Sequence, residues 1–355
     1  MIMSRFASIV LALAKAAAEI SPRAKTALSY LAAVVIMWWV ARGIPLAAIT
    51  SQVANASLGL FMATAIIAFV AWLLGETLLF SRLFTYFHHR TSFREMLAPT
   101  AAQYFLQLVN AAVANSALIV FLNRRKGVAW LAVGFTLLFQ ALIDFQVMLL
   151  MALTAFAITP RFPLPHAGYY LMAALGALWL IAWFWMRGRP RSRLGQRLYD
   201  LPAMSSFRQA RLSHFVRLSL IRAVIFAMQG FALYFEMRAF HIDAPLRVAL
   251  ALTPVILLVT SIPLTPVGLG SEQAAMVLCF HAFGSTADLV AASLAVSASN
   301  IVFRIGLGMI FLRPFVTKSA TARMTGADSD AYSDSHAYAD GDDIRFARRP
   351  AVRPT

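Results

Sequence analysis

Cysteine is almost absent from this chain: Cys279 is the only one. A disulfide within the chain is excluded, and so is any CxxC metal or redox motif, which leaves Cys279 to be read as a small core residue. Charge is scarce as well, at 13% of residues, where a soluble domain carries roughly 25%. Acidic side chains are the scarcest of the charged groups, with 15 Asp and Glu against 31 Lys and Arg. The sequence has no glycine-rich ATP-binding loop, so any driving force must come from a gradient, a partner or downhill exchange. Seven histidines are present, but the adjacent pair His88 and His89 point about 100° apart on a helix and lack HExxH spacing. Interfacial histidines fit them better than a zinc site, and no cofactor is expected.

What is abundant is apolar. Hydrophobic residues make up 60% of the 355, and the mean hydropathy is +0.72. Successive stretches reach the roughly 20 residues that a helix needs to cross a bilayer. The fold class is therefore all-α and polytopic: the solvent of most of this chain is lipid. A net charge of +16 would suggest nucleic acid in a soluble protein. Here the arginines cluster beside apolar segments, as cytoplasmic loops facing anionic headgroups do, and nucleic acid is not expected as a partner.

Residues 1–25 hold a short apolar run from Phe6 to Ala14 between Arg5 and Lys15, and are read as an interfacial helix rather than a cleaved signal. Spans are expected from about Thr26 to Ala41, with Trp38 and Trp39 near one end, and from about Leu58 to Phe80. The stretch Met96 to Asn123 could cross once, but basic residues flank it on both sides: Arg82, Arg90 and Arg94 before, Arg124, Arg125 and Lys126 after. A re-entrant hairpin that enters and leaves on the cytoplasmic side resolves the conflict, with its turn near Asn110 to Asn115. Polar backbone at such depth must be buried in protein or line a wet cavity.

Further spans follow at about Val128 to Ala155, Tyr169 to Met186 and Leu218 to Met237, separated by the strongly basic loop that holds Arg187, Arg189, Arg191, Arg193, Arg197, Arg208 and Arg211. The stretch Val248 to Phe283 is broken by two prolines and two glycines, Pro263, Pro266, Gly268 and Gly270, which one regular helix cannot accommodate. Read as a second re-entrant hairpin, entered from outside, it leaves a last span from about Leu289 to Leu312. Every large basic cluster then lies in the cytoplasm with both termini. The result is six spans and two hairpins in two units of opposite orientation, an inverted repeat of the kind found in transporters. The membrane domain covers 26–315, and 316–355 reads as a disordered cytoplasmic tail whose aspartates lack an EF-hand's glycine and final glutamate.

Polar residues inside the apolar stretches are the candidates for function. Glu272 falls in the first turn of the helix that restarts after the Pro/Gly break, where it is either a cap on the helix dipole or a gating or headgroup contact. The unpaired amides ahead of it suit a phosphate. Arg304 lies within the last span, about 12 Å from its end, and needs a partner: Glu272, Asp144 or a lipid phosphate. Gln140 and Asp144, four apart, share one helix face. Glu76 is read as snorkelling near an interface, with Gln229 and Glu236 weaker candidates for the same reason.

The run SIPLTPVGLGSEQAA at 261–275, followed by an apolar helix and Arg304, resembles the C-terminal signature of the lysylphosphatidylglycerol synthase transmembrane-region family. Hydrophobic length and spacing agree over about residues 26 to 315. The resemblance implies a bacterial or archaeal protein of the cytoplasmic (inner) membrane that moves or handles lipids, with anionic, glycosyl or isoprenoid headgroups. It also implies envelope-lipid biosynthesis enzymes and a second copy of the chain as partners. The family's first-half pattern differs: Asn115, Ser116 and Ile119 replace a glycine-rich turn with Asp and Arg, and Gln140 and Ala141 stand where a Glu-Arg pair precedes the aspartate. Either the substrate differs or the first half-site is degenerate. The soluble aminoacyltransferase domain of bifunctional relatives is absent, so the expectation is a flippase rather than an enzyme. A membrane-embedded enzyme built on Glu272 with Asp144 or His281, and a non-transporting assembly partner, are the alternatives.

Overall fold

The computed structural model describes residues 46–108, 111–158, 167–186, 196, 201, 204–261 and 270–324. The described residues form helices and no strand. In chain order these are α1 (Leu46–Asn55), α2 (Leu58–Phe87), α3 (Phe93–Leu106), α4 (Ala111–Lys126), α5 (Trp130–Ile158), α6 (Ala167–Met186), α7 (Ser205–Gln209), α8 (Leu212–Ala239), α9 (Leu246–Ser261), α10 (Ser271–Phe280) and α11 (Thr286–Met324). The first unit of the chain ends at Gly308; in the second, Met309–Thr355, the described residues are the helical 309–324.

Four helices, α2, α5, α8 and α11, are long and apolar enough to cross a membrane. At 30 residues α2 is about 45 Å long, which exceeds the roughly 30 Å hydrocarbon core. Its exposed large side chains, Ile66, Ile67, Val70 and Leu74, are apolar, and α8 exposes Leu220, Val224, Met228 and Phe231 in the same way. Such stripes would be a liability in water and are ordinary against lipid. The expected span at Tyr169 to Met186 forms the 20-residue helix α6. The expected span at Thr26 to Ala41 and the interfacial helix at 1–25 lie outside the described residues.

Between the long helices stand two pairs of short ones. The pair α3 and α4 has 14 and 16 residues, about 21 and 24 Å, so neither crosses alone. A capping box starts α3: Ser92 Oγ accepts from the Glu95 amide at 3.3 Å while the Ser92 amide donates to Glu95 Oε2 at 2.9 Å. Gln103 Nε2 donates to Asn115 Oδ1 at 3.0 Å across the intervening break, so the two helices run antiparallel. Gly127, at φ +65°, ends α4 with its amide on the Asn123 carbonyl. Lys126 Nζ then comes within 3.6 Å of Glu95 at the start of α3, so this pair begins and ends at one level. The chain turns at 107–108 after α3 and is helical again from Ala111, so of the expected turn at Asn110 to Asn115 the described residues from 111 onward are helical. Asn115 is inside α4, where the run of small residues Ala111 to Ala117 continues a helix instead of breaking it.

The second pair, α9 and α10, has 16 and 10 residues. Pro263, Pro266 and Gly268 fall in 262–269, outside the described residues, as does Asn110. Gly270, at φ +89°, directly precedes α10, a conformation that glycine adopts without strain.

A long helix, a short pair and a long helix thus occur twice. The Ser57 amide donates to the Ala239 carbonyl at 2.8 Å, joining the start of α2 to the end of α8. Further along the same two helices Glu76 meets Arg222, so α2 and α8 are antiparallel and the two units they open have opposite sense. Glycines let helices approach here: a Cβ on Gly75 of α2 would lie 2.8 Å from Ile225 Cγ1 of α8, and one on Gly230 of α8 would lie 3.1 Å from the Cα of Leu250 of α9. The last helix continues to Met324 and so overlaps the start of the 316–355 segment assigned to the tail; the rest of that segment lies outside the described residues.

Candidate functional site

Three ionisable groups meet where α2, α5 and α8 cross. Arg222 on α8 is 2% exposed. Its Nη1 pairs with Glu76 Oε1 on α2, and Nη2 lies 3.3 Å from Glu76 Oε2. The same guanidinium reaches Asp144 on α5, with Nη2 to Oδ2 at 2.9 Å and Nε to Oδ1 at 2.5 Å. Gln140 Nε2 donates to Asp144 Oδ2 at 2.6 Å, as their spacing on α5 predicts, and Trp72 Nε1 donates to Glu76 Oε1 at 3.1 Å. One buried cation therefore holds three helices, through a fork of two hydrogen bonds to Glu76 and one hydrogen bond to Asp144 beside a close ion pair.

This cluster corrects two expectations. Glu76 does not snorkel to water: it is 7% exposed and held in an ion pair. Asp144 is bound to Arg222 and does not serve as the partner of Arg304. Arg222 itself escaped sequence reasoning because it follows Arg208, Arg211 and Arg217, and continues what looks like one basic segment. The signal was its position, ten residues into an apolar helix that starts at Leu212.

Trp72 connects this cluster to a second group. Its indole packs edge-on against Tyr104 of α3 at 6.2 Å, and the Arg304 guanidinium lies over the same Tyr104 ring, 5.7 Å from its centroid. A ring face is an attractive seat for a cation that lacks a carboxylate contact. Arg304 forms no salt bridge among the described residues, and its Nε has no hydrogen-bond partner there.

Next to these groups lies a cavity of about 120 Å³, enclosed by α2, α8, α9, α10 and α11. Its polar lining consists of Trp72, Gln229, Glu236, Thr253, Glu272, Ser299 and Asn300. Gln229 and Glu236 are seven residues apart, two turns of α8, and so point the same way. Glu272 reaches across to α11, where Ser297 Oγ donates to its Oε2 at 2.7 Å. The neighbouring Gln273 takes the capping position, accepting from the Gly270 amide at 2.6 Å through Oε1 and donating to Ser297 Oγ at 3.1 Å. Between the two readings of Glu272, this geometry favours a group facing the cavity over a cap on α10.

Both amide atoms of Gln229 are buried without a hydrogen-bond partner among the described residues. Burying an unpartnered amide costs about 1–3 kcal/mol, so its companion is expected to enter from the cavity. The charged lining groups among the described residues are carboxylates, and Arg304 is not among them; most of the residues before Glu272 that belong to the expected phosphate seat, 262–269, lie outside the described residues. His281 does not join Glu272 either: it lies nine residues on, about 13 Å along α10, and its Nδ1 is 3.0 Å from the Leu278 carbonyl.

At one end of the bundle, His88 Nε2 lies 2.8 Å from Thr136 Oγ1, which lies 2.5 Å from Ser206 Oγ, so the end of α2, the start of α5 and α7 are tied together. Burial, and secondarily the neighbouring His89, hold the His88 imidazole below its usual pKa. This same end carries Arg90, the Arg124 to Lys126 triplet and Arg208, so the basic loops converge as a positive-inside arrangement requires.

Antiparallel units of long and short helices, with buried ionisable groups and a polar cavity in an apolar shell, define a polytopic helical membrane protein. The chain belongs to the family described as lysylphosphatidylglycerol synthase TM region, whose model matches residues 25–308. No curated protein matches it. The family relates the chain to lipid handling.

Proposed function

We propose that this protein translocates lipids between leaflets, with the polar headgroup passing through the cavity between α8 and α11 while the acyl or isoprenoid chains stay in the surrounding lipid. The observation that carries this reading is the cavity lining: unpartnered amide and carboxylate groups facing an open space inside helices whose outer faces are apolar. Such groups are costly in a membrane unless something polar occupies the space. A transporter's cavity is occupied only in passing.

Among the headgroups that the family suggests, hydroxyl-rich ones fit the lining best. Carboxylates and amide oxygens accept from sugar or polyol hydroxyls, while a bare phosphate would meet two carboxylates and, among the described lining residues, no cation. The α3/α4 and α9/α10 pairs act as re-entrant hairpins that enter from opposite faces, and the basic end faces the cytoplasm at a bacterial inner membrane. Lipid is the partner of the cavity; envelope-lipid enzymes and a second copy of the chain are partners of the outer surface. No lipid chemistry is required of the protein, so it is not an enzyme.

Reconstitution tests this. Purified protein in liposomes doped with a headgroup-labelled glycolipid should expose the inner-leaflet label to an outside quencher faster than protein-free liposomes do, with the lipid chemically unchanged. Label exposure at the protein-free rate, or a new lipid species, would refute it.

A further inference from the structure

Glu236 is a carboxylate without a counterpart. It is 7% exposed and lines the cavity, and none of its oxygens accepts a hydrogen bond among the described residues. The charged group that faces it is a second carboxylate, Glu272. Two anions around one small cavity in a low-dielectric surround cannot both be tolerated, because each raises the cost of the other.

The remaining elements around the cavity do not relieve it. The α2 wall brings Trp72, whose indole donor is spent on Glu76, and Glu76 itself is held by Arg222. The α9 wall brings Thr253, whose hydroxyl donates to the Ala249 carbonyl at 2.7 Å. The α11 wall brings Asn300 and Ser299, whose hydroxyl donates to the Val296 carbonyl at 2.8 Å, and Arg304 one turn beyond Asn300 lies over Tyr104 of α3. Ser297 and the more distant positive charge of Arg304 both support an anion at Glu272. Glu236 has neither support.

We propose that the Glu236–Glu272 pair holds one proton at neutral pH, carried on Glu236, and that its uptake and release accompany lipid movement through the cavity. In uptake, a proton from water adds to a Glu236 carboxylate oxygen and leaves a neutral acid; in release the O–H bond breaks and the proton returns to water. The neutral acid makes the empty cavity bear one negative charge instead of two. This rests on the translocation reading only for the coupling; the proton site stands on the cavity alone.

Infrared difference spectroscopy of the full chain in neutral-lipid nanodiscs, titrated from about pH 5 to about pH 10, reads the site directly. The parent should show a protonated-carboxyl carbonyl band at neutral pH that fades on alkalinisation. Glu236→Gln should lack that band, Glu236→Asp should keep one, and Glu272→Gln should move its titration to lower pH by removing the neighbouring anion. A parent without such a band, or a band that persists unchanged in Glu236→Gln, overturns the proposal. Loss of the band at neutral pH on adding sodium chloride overturns it in favour of a sodium site.

A second arm uses the same protein in liposomes. Parental translocation should change severalfold across that pH range and become flat in Glu236→Gln. A parent that moves no lipid but shows the band refutes the translocation reading and the coupling while leaving the proton site standing. A parent that moves lipid equally at every pH refutes the coupling alone.

Discussion

At the residue scale, Arg222 makes the sharpest prediction. Removing one partner of a buried ion pair leaves an uncompensated charge and costs about 3–5 kcal/mol. Arg222→Ala should therefore lower the thermal stability of the detergent-solubilised protein far more than Arg304→Ala, whose guanidinium sits on a ring and pairs with no carboxylate. Adding Glu76→Gln and Asp144→Asn to Arg222→Met should recover much of the loss, since it removes the orphaned anions. Equal melting shifts for Arg222→Ala and Arg304→Ala would contradict the assignment. His88 carries a pH dependence of defined sign. Burial depresses its folded pKa, so the unfolded chain binds the extra proton, and stability rests on the neutral ring. That contribution is present above the ordinary value of about 6.5 and is lost as pH falls below it through the folded pKa. The melting temperature should drop across that acid range, and His88→Gln should flatten the dependence.

At the element scale, the close approaches rank two glycines. A Cβ on Gly75 meets the end of the Ile225 side chain, which can turn away; a Cβ on Gly230 meets Leu250, including its backbone. Gly230→Ala should cost about 1–3 kcal/mol and Gly75→Ala less, as compared by denaturation in detergent. What the sequence made legible at this scale was the helices. Apolar runs of spanning length predict α2, α5, α8 and α11, and the flanking charges predict the returning α3/α4 pair, because both signals are local. The far bound of the expected turn was not legible, since Asn110 and Asn115 look alike in a list of polar residues, while the Gln103–Asn115 bond beside Asn115's place in α4 joins two elements. The same limit hid the site. Gln140–Asp144 was readable at four-residue spacing, but Glu76 and Arg222 are 146 positions apart, and Glu236 looked like an interfacial residue until α10 and α11 closed the cavity around it.

At the scale of the whole molecule, the antiparallel α2 and α8 bring together one end rich in arginine and another that holds Asn55 and His241. Cysteines placed at the exposed Arg90 and at Asp243 should react with a membrane-impermeant maleimide from opposite sides, and Gly127→Cys should react from the side of Arg90→Cys. Labelling of Arg90→Cys and Gly127→Cys from opposite faces would mean that α3 and α4 cross the membrane, and the inverted arrangement would fall. Native Cys279 is buried and should stay silent.

The central claim is that the cavity is the lipid's path, and filling it tests that claim most directly. Ala232 and Ala68 line the cavity from α8 and α2, so Ala232→Trp or Ala68→Trp would occupy space without replacing its ionisable groups. In liposomes containing headgroup-labelled glycolipid, the account predicts that a plugged variant with the parental melting temperature exposes inner-leaflet label no faster than protein-free liposomes. Translocation at the parental rate by that folded, plugged variant would contradict it.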